Sequence, residues 1–82
     1  MINMKDHFGY LINKNDYILH ITRFGSSIDL NAGKVIDIDE DKQILICKMC
    51  NRTKLSYISN MYCTIIMDRD ELVRKYPGVY DL

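Results

Sequence analysis

Neither sign of charge is in excess in this 82-residue chain: Lys and Arg total 11, Asp and Glu total 11, and the formal net charge is zero. That balance argues against an indiscriminate phosphate binder, whose affinity would come from surplus Lys and Arg. Long apolar runs are missing too, and Met1-Ile-Asn-Met-Lys-Asp6 lacks the basic-then-apolar order of a signal segment. Neither a membrane span nor secretion is expected, and the expected location is the cytoplasm. Gly-rich phosphate loops are absent, which disfavours nucleotide hydrolysis. The three cysteines are an odd number. They fit a reducing compartment better than a disulfide framework.

The apolar fraction of 48% beside 27% charged residues belongs to a folded chain, not a disordered one. A chain of this length makes one domain and buries roughly 60–65% of its unfolded surface. No internal repeat, linker or low-complexity segment divides it.

The organising stretch is Gly33-Lys-Val-Ile-Asp-Ile-Asp-Glu-Asp-Lys-Gln-Ile-Leu-Ile-Cys47, two β-branched runs joined by a charged turn. Such residues pack on a pleated surface and the charged tip stays in water, so it reads as a tight hairpin. Around it, residues 17–23, 33–39, 43–50, 54–59 and 63–67 read as five strands. In the first, Tyr17, Leu19 and Ile21 are expected to face inward by alternation. Residues 1–12 form an N-terminal extension in which Phe8-Gly-Tyr-Leu-Ile12 adds an edge strand or drapes over the core. Asn13-Lys-Asn-Asp16 is turn chemistry, because Asn and Asp bond their own backbone and tolerate left-handed conformations. Residues 24–32 carry Gly, Ser and Asn that break any period and are expected to be the longest loop. Residues 59–62 make a helical turn. Asp68-Arg-Asp-Glu71 has capping-box spacing and opens a helix over 69–76 that Pro77-Gly78 ends. The fold class is mainly β, a small five-stranded barrel over residues 13–68 with a short C-terminal helix, since closure removes exposed edges.

Cys47-Lys-Met-Cys50 has the spacing of half a zinc knuckle, with Cys63, His20 and His7 as the other Cys and His residues. In a regular strand positions 47 and 50 point to opposite faces, so buried structural thiols are the favoured reading and zinc through Cys47, Cys50 and Cys63 the minor one. Asp37-Ile-Asp-Glu-Asp41 begins like a calcium loop, but Lys42 stands where Gly is needed and Lys48 where a bidentate Glu is needed. These are solvated hairpin charges. Ser26 and Ser27 have no accompanying base pattern and neither histidine has an identifiable carboxylate partner, so an enzyme is not expected, nor a cofactor.

Antiparallel alternation puts the acidic turn 39–42 at one end and residues 24–32 and 51–53 at the other. The second end is expected to collect Arg23, Phe24, Ser26, Ser27, Lys34, Lys48, Arg52 and Lys54. Positive charge and an aromatic beside a loop suit an acidic protein or a nucleic-acid backbone.

The succession Lys14-Asn-Asp-Tyr-Ile18, a variable loop, Gly33-Lys-Val-Ile-Asp-Ile38, then two strands and a helical turn before the last strand resembles the SH3-like small barrels. Within them it looks like the KOW-type pattern Gly-Asp-x-Val followed by Gly-x-Val-x-x-Ile, and like small barrels among bacteriophage accessory proteins. Asn15 departs from that pattern by standing where it has Gly. The resemblance implies an SH3-like barrel that contacts a host protein in the host cytoplasm. Its KOW side implies RNA or the transcription and translation proteins as partners. No functional motif matches, so it assigns no residue a role. The favoured function is a non-enzymatic binding module. A nucleic-acid binder and a structural or assembly protein are the alternatives.

Overall fold

The computed structural model describes residues 4–50, 52–59 and 63–82, without the side chains of Phe24, Tyr80 and Asp81. Five strands run in one antiparallel sheet: β1 (Tyr17–Phe24), β2 (Ser27–Asp39), β3 (Ile44–Met49), β4 (Ser56–Ile58) and β5 (Thr64–Met67), in the order β4-β3-β2-β1-β5. Helix α1 (Arg69–Lys75) and a 3-10 helix (Pro77–Asp81) follow. The protein is mainly β, as its β-branched runs require. The strand order ends at β4 on one side and β5 on the other. The helical turn expected over 59–62 falls largely on residues outside those described.

The central hairpin forms as its sequence dictates: β2 and β3 pair from Gly33 opposite Met49 to Asp39 opposite Ile44. The register shifts between Val35 and Asp37, which makes Ile36 the extra residue of a bulge. Gly33 has a steric reason: a Cβ there would lie 2.7 Å from the Lys48 carbonyl oxygen and would collide with the Met49 sulfur. The turn over residues 13–16 is also as read. Asn15 takes φ 76°, a left-handed conformation that Asn tolerates, and its N–H donates to the Val35 carbonyl at 2.8 Å.

The stretch 24–32 is not a loop. Gly25 and Ser26 make a two-residue turn, Gly25 at φ 59°, and from Ser27 onward the chain is strand, paired with β1 from Phe24–Ser27 to Tyr17–Lys34. Two residues with Gly first suffice to reverse an antiparallel pair. Ile28, Leu30 and Ala32 then continue a period of two. The second correction concerns β1. Ile18 is the fully buried residue, packed with Met4, Ile12, Val35, Leu45, Cys47, Met49 and Ile58. Tyr17 and Leu19 pack on the opposite face against Ala32, Leu72 and Val79, and Ile21 is half-buried. Both faces of the sheet are covered here, one by residues 4–12 and one by the C-terminal helices, so apolar residues occupy both alternation classes.

Residues 4–12 of the N-terminal extension drape over the core and also meet β5. His7 N–H donates to the Thr64 carbonyl at 2.8 Å, and the buried Asp6 carboxylate accepts from the N–H groups of Phe8, Tyr10 and Ile66 at 2.9, 2.8 and 3.0 Å. A side-chain oxygen thus satisfies the N–H of Ile66 on β5, the last strand of the order, while Ile66 pairs with Ile18 of β1. At α1, Asp68 is the N-cap in extended conformation but makes no side-chain capping bond, so the expected capping box does not form. Asp70 and Glu71 in the first turn and Arg74 and Lys75 in the last still complement the helix dipole. Among the described residues no helix is long and apolar enough to cross a membrane.

Candidate functional site

β2 is more than twice as long as β3, and the surplus lies toward the turn at residues 25–26. β3 accompanies β2 only from Gly33 onward, and β5 accompanies β1 only over residues 17–20. Residues 21–24 and 27–30 are left as a two-stranded ribbon with no strand ladder on either outer side among the described residues. One ribbon face carries Ile28, 63% exposed, and Leu30, 48% exposed, beside Ile21 and Arg23, which pair with Leu30 and Ile28. Large apolar groups left in water on an unflanked ribbon are unusual, since natural sheets blunt such edges.

The opposite face of the ribbon base belongs to a cleft of about 190 Å³ lined by His20, Thr22, Asn31, Arg52, Ser56 and Tyr57 over a floor of Met49 and Ile58. His20 Nδ1 lies 2.9 Å from the Thr64 hydroxyl, and the Asn31 side-chain amide donates to the Thr22 hydroxyl at 3.4 Å. Burial first, and the Arg52 guanidinium second, hold His20 below its ordinary value of 6.5, so the ring is neutral at pH 7. The Ser56 hydroxyl oxygen is buried and has no hydrogen-bond partner among the described residues. Thr64 is fully buried, so the imidazole–hydroxyl pair offers no accessible nucleophile.

The residues assigned to one basic end divide among three places. Arg23 is on the ribbon, where its Nε donates to the Gly25 carbonyl at 3.2 Å. Ser26 and Ser27 are exposed at the ribbon tip, and Phe24 ends β1 opposite Ser27 with its side chain outside the described set. Arg52 and Lys54 are exposed in the β3–β4 connection, with Arg52 at the cleft. Lys34 and Lys48 are elsewhere: they sit opposite each other across β2 and β3 on the face carrying α1. Lys34 Nζ stands 5.6 Å from the centre of the Tyr17 ring, and the Arg69 guanidinium 5.9 Å from it. The acidic turn lies at the other end of the hairpin, where Asp39 Oδ1 accepts from the Lys42 N–H at 3.2 Å. It behaves as solvated turn chemistry.

Cys47 and Cys50 do not converge. Cys47 is buried in the first core, where burial pushes its thiol up to about 12, and Cys50 packs with the C-terminal helices on the other face, its thiol also raised by burial. No group of three or more His, Cys, Asp or Glu is placed to hold a metal ion among the described residues.

Sequence reasoning missed His20, Thr22, Asn31, Ser56 and Tyr57 as neighbours. A signal existed for part of it. His20 and Thr22 are alternate polar residues inside an apolar strand, and Asn31 is opposite His20 once residues 27–32 are taken as strand. Ser56 carries no such mark. Comparison with protein-family models, with curated proteins and with solved structures finds no match.

Proposed function

We propose that this chain is a non-enzymatic binding module that captures an acidic protein partner, in extended conformation, along the β1–β2 ribbon. The observation that carries the reading is the ribbon's lack of flanking strands together with the exposure of Ile28 and Leu30. An added strand satisfies free backbone groups, and alternate side chains supply the specificity. Arg23 stands exposed on the ribbon itself, opposite Ile28, which favours an acidic partner and speeds encounter. A host protein met by a phage-type accessory barrel fits this chemistry. The strand order, with β1 between β2 and β5, is compatible with the SH3-like resemblance.

The test is affinity capture from the native cell with wild type and with the variants Arg23→Glu and Ile28→Asp, followed by titration of the captured protein in purified form. Both variants lose at least tenfold in affinity while the thermal midpoint stays within about 2 °C. Undiminished binding by both overturns the reading. If the ribbon instead pairs between copies, an assembly role, the wild type shows a concentration-dependent dimer that Ile28→Asp abolishes.

A second reading, nucleic-acid binding, is favoured by Lys34 and Arg69 over the Tyr17 ring, with Lys48 opposite Lys34. Like charges opposite each other in a sheet are unfavourable unless an anion bridges them. Titration with single-stranded RNA and DNA at two salt concentrations decides it, because phosphate contacts lose affinity steeply with salt.

A further inference from the structure

We propose that the cleft at the ribbon base is a preformed pocket for a single oxyanionic group, a phosphate or a carboxylate. It lies on the sheet face opposite Ile28 and Leu30, so it stands apart from the strand-capture surface and its failure leaves that reading untouched.

The chemistry of the lining carries the argument. Every polar side chain that lines the cleft can donate a hydrogen bond, and among the described residues no carboxylate lines it. Arg52 is exposed and has no ion-pair partner among the described residues, so its fork is available for bidentate contact with an oxyanion. The Thr22 hydroxyl already accepts from Asn31, which leaves its own proton to give. Ser56 adds the decisive feature. A buried hydroxyl with no partner carries a desolvation penalty that native folds rarely keep without a reason. Ser56 lines the cleft, and turning its hydroxyl about χ1 toward a ligand oxygen seated there would supply the missing acceptor.

Size narrows the ligand class. At about 190 Å³ the cleft is smaller than the roughly 300–1,000 Å³ of pockets that enclose drug-sized molecules. It suits one phosphate or carboxylate with a small substituent, while the apolar floor of Met49 and Ile58 and the exposed ring of Tyr57 accept the uncharged part.

The experiment is a titration of 15N-labelled protein with inorganic phosphate and, separately, with acetate, at constant ionic strength. Saturable shifts confined to residues 20, 22, 31, 52 and 56 in either arm support the pocket, and the arm that saturates first identifies the group. Arg52→Gln and Ser56→Ala each weaken that binding at least fivefold, and Lys34→Gln leaves it unchanged. Ser56→Ala also raises the thermal midpoint of the ligand-free protein, because it deletes the unsatisfied hydroxyl, so weaker binding there is not a folding defect. Shifts that fail to saturate with either anion, or undiminished binding by Ser56→Ala, overturn the proposal.

Discussion

Two halves of the same β1–β2 pair follow the same alternation and meet different fates. Beside the central hairpin, β2 is flanked by β3 and covered on both faces, and Val35, Leu45 and Cys47 are fully buried. Five and seven residues before Val35 the same strand carries Leu30 and Ile28 into solvent, with no third strand beside it among the described residues. The first half holds the molecule together. The second contributes little to the core yet keeps two large apolar residues where they meet water. The contrast assigns stability to one end of the strand and, under the proposed function, recognition to the other.

The largest effect belongs to the closed half. Leu45→Ala removes a side chain with no exposure at all and costs about 3 kcal/mol, against less than about 0.5 kcal/mol for Ile28→Ala at the ribbon. Urea unfolding of both variants measures the gap, and equal losses would erase the distinction. Asp6→Asn sharpens it from another side. The amide cannot accept at both former oxygen positions, so one of the three backbone donors now bonded to the carboxylate is stranded, at a cost of about 2 kcal/mol.

A smaller effect appears in pH. His20 is held below 6.5 in the folded protein, so the folded state favours the neutral ring. The stability it contributes is complete above the unfolded value and is lost as pH falls below 6.5 and through the lowered folded value. Wild type therefore loses more stability than His20→Gln over that window, as read from urea midpoints at successive pH values. Parallel curves would contradict the burial of the ring.

The central hairpin and the turn at residues 13–16 were legible because their signals are local: β-branched runs, a charged tip, an Asn that accepts left-handed backbone. Residues 24–32 were misread because Gly25 and the serines look like a long loop when a two-residue turn is enough. The spacing of Ile28, Leu30 and Ala32 was the overlooked clue. The inward face of β1 could not be chosen by alternation, since Ile18 and Leu19 are both needed, one for each covered face. The cleft was beyond reach for a different reason. It joins His20 to Thr64 across 44 positions and depends on where β4 brings Ser56, and nothing local encodes either meeting.

Native-state amide hydrogen exchange on the free protein tests the division of the sheet most directly. The amides of Val35, Leu45 and Cys47 should exchange only through global unfolding, and those of residues 27–30 that face the ribbon's open side should exchange orders of magnitude faster. Equal protection in the two sets would mean that the ribbon is already covered, and the division of the sheet into a closed half and an open half would not hold.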